Sequence, residues 1–111
     1  MALPMDVEII RRAVASERYE ISQHAERERR HDGLTLADLE NAIRTGEIIE
    51  AYPDDPRGAS CLVFGWAHDG RPVHVVVGFL AHGWVRIITV YVPDPARWES
   101  DWKTRKRGQG Q

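Results

Sequence analysis

Two histidines stand where proton transfer could be carried out. His24 lies near the start of a polar stretch, Ser22-Gln23-His24-Ala25-Glu26-Arg27, and His74 interrupts the apolar run Val73-His74-Val75-Val76-Val77. Imidazole, with a free pKa of about 6.5, gives or takes a proton near neutrality. Thr89 and Tyr91 sit near the end of the last apolar run, and Arg27, Arg30 and Arg57 supply fixed positive charge. Histidines, arginines and a phenol on one surface point to acid–base chemistry on a phosphodiester, with cations steadying the phosphate. A structural reading competes. A histidine in an apolar strand also serves as a hydrogen-bonded interior residue, and Thr89 and Tyr91 are ordinary strand formers.

The elements that must position these groups follow from periodicity. Val7, Ile10 and Val14 repeat at helical spacing and predict a first helix over 5–17. Tyr19 to Ile21 reads as extended, and Ser22 as the N-cap of a second helix. From Gln23 to Asp32 that helix has Ala25 as its one apolar residue, with His24, Arg27 and His31 along one stripe. Glu26, Glu28 and Arg29 read as solvated, intrahelically paired charges, and Glu26 to Arg30 is an i, i+4 pair. The free N–H groups at the start of this helix would attract an anion. Thr35-Leu36-Ala37-Asp38 resembles a capping box, Leu36, Leu39 and Ile43 form an apolar stripe, and Gly46 falls at the C′ position of this third helix.

Beyond Gly46 the period becomes extended. Strands are predicted over Glu47–Tyr52, Cys61–Ala67, Val73–Phe79 and Trp84–Val92, separated by Pro53–Gly58 and by turns at Asp69-Gly70 and His82-Gly83. Pro93 and Pro95 end the last strand, and a short terminal helix through Trp98 and Trp102 is expected to pack back. The expected fold is therefore α+β: N-terminal helices packed on an antiparallel sheet of about four strands. Two-residue turns would set Gly65 and Tyr91 opposite His74. They would place Leu62, Phe64, Trp66, Val73, Val75, Val77, Ile88, Val90 and Val92 on a core face. His74, Thr89 and Tyr91 would then share the opposite, thinner face with Val63, Gly65, Val76 and Gly78. A one-residue slip in either turn would alter this arrangement.

Composition bounds the possibilities. The chain has 111 residues, enough for one domain. Its 15 basic and 17 acidic residues leave a net charge of −2, but Lys103 to Gln111 hold four of the basic groups and no acid, so the remainder carries −6 (11 basic, 17 acidic). Such a body cannot bind nucleic acid strongly overall, and a substrate of that kind would need a local basic cleft or help from the tail. We divide the chain into a domain over 1–102 and a basic, flexible tail over 103–111. Met1 to Asp6 lack the pattern of a secretory leader, and no apolar run approaches the roughly 18 residues needed to span a bilayer. The single cysteine, Cys61, reads as a small core residue, and the expected location is the reducing cytoplasm. His24, Glu28 and His31 lack His-Glu-x-x-His spacing, and no Cys/His cluster or glycine-rich phosphate loop is present, so no metal or other cofactor is expected.

The ordered motifs resemble a small bacterial family catalogued as a domain of unknown function. They are Ser22, His24, Ala25 and Arg27 on the polar helix; Ile48 and Glu50; Gly70-Arg71-Pro72 with His74; and Thr89-Val90-Tyr91 with Pro93. The resemblance spans about residues 19–102. That family is similar to toxins of the barnase–EndoU–colicin–RelE group, and Val85-Arg86-Ile87-Ile88 is more remotely similar to BrnT-type toxins. The resemblance implies a RelE/barnase-like fold and a metal-independent ribonuclease toxin of a bacterial toxin–antitoxin pair. Its partners would be RNA, in some cases on the ribosome, and an antitoxin protein of zinc-finger type. It further implies His24 and His74 as the acid–base pair, with Arg27 on the phosphate and Tyr91 orienting the site or substituting as acid. Arg30, Arg57 and Thr89 would bind substrate. The alternative is a non-enzymatic protein- or RNA-binding module on the same fold.

Overall fold

The computed structural model describes residues 5–107. Helix α1 (Val7–Ala15) begins at Asp6, whose carboxylate accepts from the Glu8 N–H, and buries Ile10, Ala13 and Val14. It stops short of the expected residue 17. Glu17 turns into the left-handed region (φ 57°), and the N–H groups of Glu17 and Arg18 return to the carbonyls of Val14 and Ala13. That is a Schellman closure with glutamate in the place glycine usually fills, so no sequence signal announced it. Helix α2 (Gln23–His31) is capped by Ser22 and closed the same way through Gly33, after which Leu34 enters the core. Helix α3 (Leu36–Arg44) starts in the expected capping box, with Thr35 and Asp38 exchanging two hydrogen bonds of 3.0 Å.

The sheet has five strands in the order β1 (Tyr19–Ile21), β5 (Val85–Tyr91), β4 (Pro72–Phe79), β3 (Ser60–Trp66), β2 (Glu47–Tyr52). All neighbours are antiparallel except β1, which runs parallel to β5. The α+β architecture with helices against a sheet is thus as expected, but the sheet is mixed and one strand larger. Three residues of β1 are too few to show a period of two, and their partner strand lies at the far end of the chain.

Two hairpin loops correct the expected register. Asp69-Gly70 belongs to a three-residue loop, closed by the Ala67 N–H on the Arg71 carbonyl, with Gly70 at φ 88°. Phe64, not Gly65, therefore faces His74. This one-residue slip reverses β3: Cys61 and Val63 join the helix-side core, while Leu62, Phe64 and Trp66 move to the His74 face. The second loop also contains three residues, Ala81 to Gly83, closed by the Leu80 N–H on Trp84 O. A bulge at Ile88 then compensates, so Val75 faces Val90 and His74 faces Tyr91 as expected. The bulge also makes Val85, Ile87 and Val90, rather than Ile88 and Val92, the fully buried residues on this side of the last strand.

Helix α3 lies directly on the backbone of β3. A methyl group at Gly65 would stand 1.8 Å from the Ala42 carbonyl oxygen, and one at Gly46 would stand 2.5 Å from the same atom. Gly46 thus does occupy the position after the α3 cap, but close approach rather than left-handed backbone is what requires it there. The helix also satisfies the end of β3: the Asn41 amide donates to Trp66 O (2.7 Å), Thr45 Oγ1 accepts from the Trp66 N–H (3.1 Å), and Asp38 accepts from the His68 N–H (3.0 Å). The Trp66 and His68 N–H groups and the Trp66 carbonyl, with Thr45, Asp38 and Asn41 as their partners, fasten α3 to β3 where a side chain at Gly65 or Gly46 has no room. Gly65→Ala should cost roughly 1–3 kcal/mol or more by forcing helix and strand apart. A thermal midpoint lowered by about 10 °C is expected, and an unchanged midpoint would contradict this packing.

Candidate active site

The outer face of the sheet forms a trough of about 850 Å³. Its floor is Val76 and Gly78 of β4 with Ile88 and Thr89 of β5, and Arg86 rises beside them. One wall is Ser22 and His24 at the start of α2; the other is Tyr52 and the β2–β3 loop with Asp55, Arg57 and Gly58.

The polar helix owes its place to the edge of β5. Strand β1 covers only Val85 to Ile87. Beyond that point α2 takes over the hydrogen-bonding edge: Ser22 Oγ donates to Ile88 O (2.9 Å), Glu28 accepts from the Val90 N–H (3.2 Å), and Asp32 accepts from the Val92 N–H (3.0 Å). An open strand edge is commonly covered in this way by a helix. Glu28 is therefore not a merely solvated charge, which corrects the sequence reading. Glu26 does pair with Arg29 and Arg30 as read. The signal for Glu28 was the combination of a helix with one apolar residue and a neighbouring strand too short to cover its partner. Glu28→Ala should speed amide exchange at Val90 selectively, by about tenfold if the bond contributes the ~1.5 kcal/mol typical of a charged acceptor. Residue-resolved hydrogen exchange measures it, and uniform protection in the mutant would contradict the role.

This anchoring presents His24 in the first turn, its side chain 59% exposed and Nε2 3.2 Å from Glu28 Oε1. Across the trough Arg57 leans on Asp55 (3.3 Å). The Arg57 backbone N–H and then its guanidinium hold the Asp55 carboxyl below its ordinary pKa. Arg86 leans on Glu20 (3.2 Å). Tyr52 donates to Glu50, and burial followed by that bond pushes the phenol up to about 12. Of the residues expected at the site, the trough brings together His24, Arg57 and Thr89. Arg27 lines a separate depression on α2 with His24, Glu28, His31 and Asp32, and Arg30 is exposed on Glu26. Arg86, Tyr52 and Ser60 line the trough without having been named for it; alternation along the last strand points Arg86 there once the bulge is known.

His74 and Tyr91 form the next rung of the same face, and there the surface is closed. His74 is 0% exposed. Its Nε2 lies 2.7 Å from Trp102 O and its Nδ1 3.2 Å from the Tyr91 hydroxyl. A carbonyl only accepts, so Nε2 carries the proton and Nδ1 accepts from Tyr91: a neutral imidazole with both nitrogens satisfied. Trp98 meets the ring edge-on at 4.4 Å, and Phe64 does so at 5.8 Å. The expected cross-strand pair is present, and the face over it is covered.

The cover is the C-terminal segment. It packs back as expected, though as turns with an isolated bridge between Trp98 and Arg105 rather than as a helix. Arg105 stacks on Trp98 (4.6 Å) and grips Glu50 with two bonds of 2.8 and 3.0 Å, while Lys103 pairs with Glu47 (2.5 Å). Lys103 and Arg105, read as the head of a flexible tail, thus bind the sheet; residues 108–111 of that tail lie outside the described residues. The Arg105 bonds hold the Glu50 carboxyl below its ordinary pKa.

Burial lowers the His74 pKa from 6.5, opposed by its bond to Trp102. Below about pH 6.5 the unfolded chain takes up a proton that the folded chain refuses, so this contribution to stability is present above that pH and fades as pH falls. The urea midpoint should therefore decline between about pH 6.5 and 5, and His74→Gln should be less stable at neutrality yet lose that slope. An equal slope in the mutant would place the titration elsewhere.

Helices on one face of a five-stranded mixed sheet, with a polar trough on the other, define a small α+β domain. Over residues 21–92 the chain matches the domain of unknown function DUF4258, and it belongs to that family. No curated protein and no solved structure matches it. Helix α1 and the C-terminal cover lie outside the matched span. Among the described residues no helix is long and apolar enough to cross a membrane, and no three His, Cys, Asp or Glu side chains are grouped to hold a metal ion.

Proposed function

We propose that this protein is a metal-independent ribonuclease, the toxin of a bacterial toxin–antitoxin pair acting in the cytoplasm. The observation that carries the reading is the convergence of an exposed histidine, two arginines and a threonine on one trough: His24, Arg57, Arg86 and Thr89. An acidic body needs local cations to bind RNA, and Arg57 and Arg86 would supply them here once a phosphate draws them from Asp55 and Glu20. These arginines are held by partly exposed carboxylates, contacts worth little in water and readily exchanged for a phosphate.

In this reading neutral His24 takes the proton of a ribose 2′-hydroxyl as that oxygen attacks phosphorus. The bond from phosphorus to the 5′-oxygen breaks, the departing oxygen takes a proton from solvent in the open trough, and a cyclic phosphate and a 5′-hydroxyl result. Arg57 and Arg86 stabilise charge on the phosphorane. His74 and Tyr91, expected as proton carriers, become positioning residues that hold the closed end of the trough. Arg27 guides RNA from the side of α2, and Arg30 has no part in the reaction. The antitoxin, expected to be of zinc-finger type from the motif resemblance, would act by covering the trough.

The enclosure of His74 is the observation that favours the second reading, an RNA- or protein-binding module without catalysis. RNA 5′-end mapping after brief induction in bacteria separates the two and supplies ribosomes should they be needed. New ends are expected with wild type and should fall by roughly 10²–10⁴-fold in His24→Ala, the range for loss of a general base. Folded wild type that generates no new ends would favour the binding module.

A further inference from the structure

On the outer face of β5, Ile88 and Arg86 line the trough; Trp84 lies just before the strand, two residues from Arg86, in extended backbone and outside the trough's own lining. Trp84 is 41% exposed, so part of its indole is open to solvent. Leu80, 40% exposed, stands directly across from it, joined by the bond from the Leu80 N–H to Trp84 O (2.9 Å), and itself lines the trough. The end of this hairpin therefore carries a part-exposed indole paired across the strands with a part-exposed Leu80 that lines the trough, two residues along the chain from Arg86. Gly78, opposite Arg86, keeps the floor between them low.

Resting on the ribonuclease reading, we propose that the trough selects single-stranded RNA, with one base stacked on Trp84 against Leu80 and the adjoining phosphate on Arg86. Residues two apart on a strand are separated by about 6.6 Å, the scale of one nucleotide step in an extended strand. The next phosphate then reaches the interior of the trough, between Arg57 and His24. Every base has a face that stacks on an aromatic ring, so the contact tolerates sequence. In a duplex both faces of an internal base are already covered, and the base cannot reach Trp84 without unstacking. The charge pattern favours nucleic acid over an apolar protein segment, because the rim continues into arginines rather than into further apolar surface.

The test is fluorescence anisotropy with a labelled, 2′-O-methylated RNA decamer that cannot be cleaved, single-stranded and as a duplex. Trp84→Ala should weaken single-strand binding by about 5- to 100-fold, the range for removing one stacking partner. Trp84→Phe should recover most of it, with thermal midpoints of both variants near wild type because the side chain is peripheral. The duplex should bind more weakly than the single strand. Equal binding by Trp84→Ala, equal binding of the duplex, or no binding by wild type would each overturn the proposal. A Trp84 effect on binding without any cleavage by wild type would retire the ribonuclease reading and leave the stacking site standing. Cleavage that needs His24 while binding ignores Trp84 would do the reverse.

Discussion

Strand β5 must have both edges hydrogen-bonded, and β1 is too short to serve the whole of one. This constraint organises half of the molecule. Where β1 ends, Ser22, Glu28 and Asp32 take over the carbonyl of Ile88 and the N–H groups of Val90 and Val92. A buried backbone group left without a partner costs about as much as a lost hydrogen bond, so the helix is held by its polar residues more than by its single buried alanine. Its first turn is thereby pinned at the rim of the sheet, and His24 comes with it.

A second polar arrangement closes the other end of the same face. The fully enclosed His74 has neither nitrogen to spare: one is used on the Tyr91 hydroxyl, the other on the carbonyl of Trp102. That bond ties the C-terminal segment to β4, and the Arg105–Glu50 grip ties it to β2. The trough is what remains between these two fixtures. Its width is set by the β2–β3 loop, whose turn is locked by Asp55 accepting from the Arg57 backbone (3.0 Å).

Much of this was legible in the residues because local rules and tertiary packing agree. Ser22 and Thr35 cap the helices as their types require, and the four long strands lie where the apolar runs are. The failures have specific causes. Glu17 closes a helix in a conformation glycine normally supplies, so α1 reads too long. A glycine in the left-handed region at the end of a three-residue loop looks, in sequence, the same as one in a two-residue turn; Gly70 therefore misplaced β3 by one residue. The bulge at Ile88 leaves no mark in an unbroken β-branched run, and it alone restored the His74–Tyr91 pairing. Of the residues named for the site, His24, Arg57 and Thr89 line the trough, whereas the cover over His74 depends on Trp102 and Arg105, whose partners His74 and Glu50 lie 28 and 55 residues away in the chain.

The parallel pairing of Tyr19–Ile21 with Val85–Ile87 also sets an order of events during synthesis. On the ribosome, α1, α2 and α3 emerge before any strand that could receive them, and β1 must wait unpaired until the last strand has cleared the exit tunnel. Contacts so distant along the chain form late. His24 and Arg86 consequently share the trough only after β5 has left the exit tunnel, so a nascent chain exposed only as far as β4 possesses no trough. Whatever this surface acts on, the ribosome making the protein is shielded from it until β5 has emerged and paired with β1.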